Sequence, residues 1–253
     1  MKARLIVAVS ASLLLATMAQ AAEIKLLASG AIKEAYLELL TQFEKASGHK
    51  VTVAWSGTPD ILKRVAAGEA ADLVILSSSG ADELIKQGKL VPGSRVDFAK
   101  SGIGVAVGAG APKPDVSSVD AFKRALLTAR SIAYLKEGQS GVYVAGVLER
   151  LGIAETIRSK VTLPETDIVS ELVRRGEIEL GIVVITQIVT TAGVALAGPL
   201  PSDIQSYVTF TGGISANSKS IDAAKDLMTV LRSPVAIGVM RSQGMERRVS
   251  CRR

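Results

Sequence analysis

The chain has 253 residues and a formal net charge of +6, but the excess positive charge lies at its two ends. Lys2 and Arg4 contribute +2 and the last seven residues contribute +4, which leaves the segment between them neutral. Only 4% of the residues are aromatic, so the basic, aromatic-bearing face that is typical of nucleic-acid binding is not expected.

A single cysteine and a single histidine restrict the chemistry further. Cys251 has no partner for an intrachain disulfide, and zinc sites built from Cys and His cannot be assembled. A Ser-His-Asp triad would require His49, which lies in the polar stretch "ASGHKV" and reads as a solvated loop residue. We therefore expect no metal and no cofactor.

The N-terminus has the layout of a secretory signal peptide. Lys2 and Arg4 precede an uncharged stretch from residue 5 to residue 16, and alanines at 19, 21 and 22 follow. The alternative, a membrane anchor, is disfavoured because a spanning helix needs about 20 apolar residues. We predict cleavage after residues 1–21 and a periplasmic location for the remainder, in which about 230 residues suffice for one large or two small α/β lobes.

Short apolar runs alternate with amphipathic windows along this remainder, which predicts an α/β fold with parallel sheets. The predicted strands cover residues 23–28, 50–55, 71–77, 131–135, 160–163, 180–186 and 207–216. The predicted helices are a long one that ends at Gly48, followed by 59–68, 118–129, 142–152, 167–177, a short piece after 186, 220–233 and 234–244.

Glycines at 102, 104, 108 and 110 superficially resemble a dinucleotide-binding loop. That loop must lead into a helix, whereas "IGVAVGAGA" runs into "PKPD", which cannot continue as one. We interpret the segment as a strand that crosses between two lobes.

Three predicted turns share one pattern, in which a strand ends, small or hydroxylated residues follow, and a helix begins. They are residues 29–31, 56–60 and 138–141. The unpaired amides at a helix N-terminus favour an anion, and the carboxyl ends of parallel strands meet at one edge of a sheet. Helix capping alone would also explain each turn taken singly. Their recurrence predicts a cradle for an anion.

The chain resembles a known family in three segments: "LASGAIKEAYLELLTQFEKASG", "AAGEAADLVI" and "GVYVAGVLERLG". Over about residues 23–245 the chain resembles the periplasmic molybdate-binding proteins of ABC importers and their less specific relatives. The resemblance implies two α/β lobes, each a mostly parallel sheet flanked by helices, joined by a two-strand hinge with the ligand in the cleft. Lobe 1 would comprise 22–103 plus 206–246, lobe 2 would comprise 104–205, and 247–253 would form a basic tail with no assigned role.

The resemblance also implies a set of site residues. The family's first ligand serine falls on Ala31, with Ser29 two positions earlier as a substitute, its second serine falls on Thr58, and its tyrosine falls on Val184, which has no hydroxyl. Backbone donors fall on the lobe-2 turn and near Thr166. The predicted ligand-binding set is Ser29, Gly30, Ala31, Thr58, Ser140, Gly141, Thr166 and Val184.

The missing tyrosine hydroxyl weakens the case for a tetrahedral oxyanion, because an unpaired oxygen costs about 1–3 kcal/mol. Lys136 or Arg64 would suit a larger ligand with carboxylates. We therefore expect a monomeric solute-binding protein that delivers a small anion to the membrane permease of an ABC importer. A secreted sensor domain is a further possibility.

The second hypothesis is an enzyme, because the chain also resembles a periplasmic aconitate isomerase, which moves a proton in an unsaturated tricarboxylate. Such chemistry needs a base within reach of the substrate. The sequence offers no obvious one, since Asp60, Glu137, Glu165 and Asp167 are only near the predicted turns.

Overall fold

The protein is described here from a computed structural model, which covers residues 21–246. The basic tail and all but the last residue of the predicted signal peptide lie outside this range. No helix in the described part of the chain is long and apolar enough to cross a membrane.

Strands and helices alternate through most of the described chain. The strands are β1 (Glu23–Ser29), β2 (Lys50–Ser56), β3 (Leu73–Ser77), β4 (Val96–Gly108), β5 (Ile132–Tyr134), β6 (Val161–Thr162), β7 (Leu180–Val184), β8 (Val194–Pro199) and β9 (Tyr207–Ile214). The helices are α1 (Lys33–Ser47), α2 (Thr58–Ala66), α3 (Ser78–Lys86), α4 (Val119–Thr128), α5 (Gly138–Arg150), α6 (Ala154–Ile157), α7 (Val169–Arg174), α8 (Ile185–Val189), α9 (Ile221–Val230) and α10 (Pro234–Ser242). This alternation confirms the predicted α/β class.

The strands form one continuous mixed sheet in the order β2-β1-β3-β9-β4-β7-β5-β6, with β8 also paired to β4. The parallel pairs are β1 with β2 and β3, and β5 with β6 and β7. The strands β4, β8 and β9 add antiparallel pairs.

The sheet has two sections that share β4. The first half of β4 pairs with β9, up to Gly102 opposite Tyr207, and its second half pairs with β7 and β8 from Ile103 and Gly104 onwards. We call the part with β1, β2, β3 and β9 the first section and the part with β5, β6, β7 and β8 the second section. The chain returns to the first section just before β9.

Alternating side chains of β1 and β3 bury both faces of the first section. Ile24, Leu26 and Ala28 join one apolar cluster with α1, α9 and α10, while Leu27 joins another with α2 and α3. Because successive strand side chains point to opposite faces, an unbroken apolar run produces a strand that is covered by helices on both sides. A third cluster lies within the second section, and the first cluster extends into that section through residues such as Val169 and Val183.

Several predicted boundaries differ from the observed ones. The first predicted helix starts with a 3-10 turn, Gly30–Ile32, before α1, and β4 begins seven residues before the predicted 103. The helix predicted at 142 starts at Gly138, so Ser140 and Gly141 belong to its first turn. Neither α3 nor β8 was predicted, because Gly80 in α3 and two prolines near β8 obscure the local pattern.

Candidate functional site

A cavity lies between the two sheet sections, at the ends of strands from both. Residues from the first section that line it include Ser29, Ala31, Thr58 and Ser77, and residues from the second include Ser140 and Val184. Its volume is about 50 Å³, which is room for roughly four water-sized groups. All three predicted turns therefore meet at one place.

Ser29 ends β1 and caps the 3-10 turn that follows. Its Oγ accepts a hydrogen bond from the amide of Ala31 at 3.4 Å, which is long for such a bond. The side chain is buried and lines the cavity. Since the capping bond uses only an acceptor position, the hydroxyl proton stays available for a ligand.

Thr58 opens α2 after Gly57, and Pro59 follows it in the first turn. The Oγ1 of Thr58 accepts a hydrogen bond from the amide of Ser77 at 3.1 Å, so its proton can also be donated elsewhere. Ser77 ends β3, caps α3 and lines the same cavity. Ser77 was not among the predicted site residues. The stretch "SSSG", directly after an apolar run, nevertheless has the same pattern as the three predicted turns, in which small or hydroxylated residues follow a strand.

The second section contributes the N-terminus of α5. Glu137 is its N-cap and Ser140 is the third residue of its first turn, where a backbone amide has no partner within the helix. Glu137, Gly138, Gln139 and Ser140 line the cavity. The amides of α5 thus oppose the turns of the first section across the cavity.

The other predicted residues divide into two groups. Val184 lines the cavity and forms an apolar wall together with Leu135, Val208 and Phe210. Gly30, Gly141 and Thr166 are not lining residues, although each adjoins one. Five of the eight predicted residues are therefore brought together: Ser29, Ala31, Thr58, Ser140 and Val184.

Three carboxyl side chains line the cavity: Glu137, Glu165 and Asp167. The sequence placed them only near the turns, and no local pattern indicates that Asp167 reaches across to the first section. Its Oδ2 lies 3.5 Å from the position that a Cβ of Gly30 would occupy and 3.7 Å from that of Gly57. Asp60, the fourth candidate base, instead accepts a hydrogen bond from Ser56 at 2.6 Å and does not line the cavity.

Neither cation proposed from the sequence lines the cavity. Arg64 binds Glu69 with two hydrogen bonds of 2.6 and 2.7 Å, and Lys136 binds Glu165 at 2.8 Å. Lys136 therefore lies at the rim, beside a lining carboxylate whose pKa it lowers through this hydrogen bond. No cluster of His, Cys, Asp and Glu within residues 21–246 could hold a metal ion.

Asp167 has the most perturbed environment of the lining carboxyl groups. The residue is exposed by its accessible surface, but its Oδ2 faces Gly30 and Gly57 of the first section. Desolvation of the carboxyl group raises the pKa of Asp167, and a hydrogen bond with Gln187 opposes the shift only in part. This shift favours the protonated form of Asp167 relative to that of an ordinary aspartate.

Comparison with known proteins identifies the family of this chain. Residues 24–246 match the model of the bacterial extracellular solute-binding protein family. The chain is 33% identical to an aconitate isomerase from Pseudomonas sp over 226 residues, which cover 87% of this chain and 86% of that protein. It is 29% identical to a molybdate-binding protein of Azotobacter vinelandii over 247 residues, which cover 95% and 96% of the two chains.

Solved structures agree on the fold. The periplasmic molybdate-binding protein of Azotobacter vinelandii superimposes with a TM-score of 0.75 at 20% identity, over 88% of this chain and 98% of that one. The resemblances to molybdate-binding proteins and to aconitate isomerase, and the predicted periplasmic-binding fold, are confirmed. The chain belongs to the bacterial extracellular solute-binding protein family.

Proposed function

We propose that this protein is a periplasmic binding protein that closes over a small organic anion and delivers it to the permease of an ABC importer. The observation that carries the proposal is the convergence of three strand-to-helix turns, from both sheet sections, on one cavity. Helix N-termini with unpaired amides favour an anion, and hydroxyl groups supply further donors.

The donors come from opposite sides of the cavity. The hydroxyl protons of Ser29 and Thr58 are free on one side, and the first-turn amides of α5 lie on the other. A ligand that binds both sides stabilises the closed arrangement, as in hinge closure of two-lobed proteins. The lobes that we propose are 22–103 plus 206–246 and 104–205, and we expect the monomer to act.

Two features favour an organic carboxylate over a bare tetrahedral oxyanion. Val184 and its apolar neighbours suit a carbon skeleton and offer no hydroxyl. A wider opening of about 570 Å³ adjoins the cavity and shares Thr58, Ser77, Glu137 and Gln139 with it. The inner cavity would hold one carboxylate, and the rest of the solute would extend into this opening.

The location in the periplasm rests on the predicted signal peptide, residues 1–21, and on the family. Secretion through a cleavable leader fits an extracellular solute-binding family. N-terminal sequencing of the protein purified from the periplasm would test this. A first residue far from position 22 would contradict it.

Binding can be tested by thermal-shift measurements with molybdate, tungstate, sulfate and a panel of di- and tricarboxylates that includes trans-aconitate. We expect the largest stabilisation from a carboxylate. Thr58→Val should weaken binding by about tenfold to a hundredfold, because one ligand oxygen loses its donor.

Thr128→Val is the matched control, since Thr128 is exposed on α4 and its hydroxyl binds backbone carbonyls of its own helix. Each variant is compared with its own ligand-free melting temperature, because Thr58→Val also leaves the Ser77 amide without its acceptor. If no compound in the panel stabilises the wild type, the proposal of an anion ligand is wrong.

A second candidate function, isomerisation of an unsaturated tricarboxylate, is supported by two observations. A relative at 33% identity bears the name aconitate isomerase, and the carboxyl groups of Asp167, Glu137 and Glu165 line the cavity. A shift of a double bond requires that a proton leave one carbon and return to another, which carboxyl groups within reach can accomplish. The lack of an obvious base in the sequence is therefore no longer an objection.

Proton NMR of trans-aconitate in deuterated buffer separates the two functions. An isomerase converts the compound and introduces deuterium, whereas a binding protein returns it unchanged even at saturation. Conversion that disappears in Asp167→Asn would support catalysis through that carboxyl group. If the wild type is saturated with trans-aconitate but neither converts it nor introduces deuterium, isomerase activity on this substrate is excluded.

A further inference from the structure

The cavity that we propose for an anion contains carboxyl groups but no cation. Glu137, Glu165 and Asp167 line it, and among the described residues no Lys or Arg does so. An anion there gains hydrogen bonds from neutral donors and is not neutralised by an opposite charge. Its interaction with the nearest carboxyl group therefore matters for binding.

Among these carboxyl groups, Asp167 lies beside the turns of the first section. Its Oδ2 lies within 3.7 Å of the Cβ positions of both Gly30 and Gly57, at the start of the two helical turns of the first section. An anion held by those turns would contact this carboxyl group. Two unprotonated oxygen atoms in contact repel each other, whereas one proton between them produces a short, charge-assisted hydrogen bond.

Gln139, a second lining residue, carries an acceptor that is left without a donor among the described residues. Its Nε2 donates to the carbonyl oxygen of Tyr207 at 3.2 Å, and this contact fixes which end of the amide is the oxygen. The Oε1 of Gln139 is buried and has no hydrogen-bond partner in the described structure. A ligand or ligand complex that carries an O–H group would satisfy this acceptor.

The other groups around Asp167 do not supply the proton. The turns after β1 and β2 contribute no titratable lining residue, and β9 contributes Val208 and Phe210. Glu165 is bound to Lys136, with Lys63 of α2 also near enough to favour its ionised form, and α8 contributes the neutral Gln187. Glu137 occupies the N-cap position of α5. Desolvation raises the pKa of Asp167, in the direction that favours protonation.

We propose that the anion binds together with one proton, which is held between the Asp167 carboxyl group and a ligand oxygen. The preferred ligands are thus carboxylates, because their oxygens share a proton with Asp167 more readily than those of a strong-acid anion such as sulfate. This inference rests on the proposed function, because it assumes that an anion enters the cavity. Only O–H bonds change, and the proton comes from solvent.

The test is isothermal titration calorimetry with trans-aconitate at several pH values, in buffers with different ionisation enthalpies such as HEPES and Tris. Over the pH range in which Asp167 is ionised in the free protein, the wild type should take up close to one proton per ligand bound, and its affinity should fall by about tenfold per pH unit. Sulfate should bind at least tenfold more weakly than trans-aconitate.

Asp167→Asn replaces the shared proton by an amide N–H. This variant should still bind, with no proton uptake at this site and with a flatter dependence of affinity on pH. Asp226→Asn, an exposed residue of α9, should behave as the wild type.

The outcomes separate the two proposals. Absence of binding by every anion in the panel contradicts the proposed function and the inference with it. Binding by the wild type without proton uptake contradicts the inference alone, and this measurement needs no variant. Unchanged proton uptake in Asp167→Asn would also overturn it.

Discussion

Asp72 joins three segments of the first section through a single buried carboxylate. Its Oδ2 accepts from the amide of Lys25 in β1 at 2.8 Å, and its Oδ1 accepts from Ser218, Lys219 and Ser220, just before α9, at 2.8 to 3.1 Å. Burial alone would raise its pKa, but these four hydrogen bonds outweigh burial and lower it. The carboxylate thereby supports the edge of the sheet from which β1 starts.

This shift predicts how stability depends on pH. The folded-state pKa of Asp72 is below its ordinary value of 3.8, so its contribution is complete above that pH and is lost as the pH falls through the folded-state pKa. We expect Asp72→Asn to lower the free energy of unfolding by about 1–3 kcal/mol at pH 7. Urea unfolding should show a smaller difference from the wild type near pH 3.

The control is Asp222→Asn, whose side chain is 95% exposed in a surface ion pair with Lys225. It should change the free energy of unfolding by less than about 1 kcal/mol. Equal effects of the two variants at pH 7 would contradict the role that we assign to Asp72.

At the scale of elements, the position of α5 depends on a close approach at Gly141. A Cβ at this residue would overlap the carbonyl oxygen of Leu135 and would lie 2.8 Å from its carbonyl carbon. Because backbone atoms cannot move aside cheaply, only glycine lets the first turn of α5 pack against the end of the preceding segment. This contact holds Ser140 and Gln139 at the cavity.

We therefore predict that Gly141→Ala lowers the free energy of unfolding by about 1–3 kcal/mol and also reduces ligand-induced stabilisation. Urea unfolding and the thermal-shift assay measure the two effects. Gly146→Ala is a control in the same helix, because its Cβ would meet only the tip of Arg150 at 3.6 Å. Gly146→Ala should be neutral or stabilising by up to about 1 kcal/mol, and a similar loss in both variants would show that the Leu135 contact is not decisive.

At the scale of the whole molecule, the two sheet sections are linked through β4 and through the segment before β9. Gln205 joins these crossings, since its amide binds the N–H and the carbonyl of Ile103, each at 3.0 Å. Across the cavity, Thr186 donates to the carbonyl of Ala31 at 3.3 Å and Gln139 donates to that of Tyr207 at 3.2 Å. The bonds of Gln205 to Ile103 at the crossing are thus shorter than these two contacts across the cavity, in keeping with the hinged lobes that we propose.

The alternation of strands and helices was predictable because it depends on local periodicity. Apolar runs such as 71–77 and the helical spacing of apolar residues in α1 can be recognised from neighbouring residues alone. Glycines such as Gly48, with φ of 76°, mark helix ends. The strand β8 was missed because its pairing with β4 is non-local and its flanking prolines suggest a break. The helix α3 was missed because Gly80 and a serine-rich start resemble a loop.

The sequence by itself determined the α/β class, the family and five residues that line the cavity, because each strand-to-helix turn is formed by consecutive residues. Only the tertiary structure decided that Asp167 faces the first section, that Ser77 joins the site, and that neither Arg64, bound to Glu69, nor Lys136, bound to the lining Glu165, is itself a lining residue. The position of Asp167 depends on a contact with Gly30 and Gly57, more than a hundred residues away in the sequence, and no local pattern of residues records such a contact.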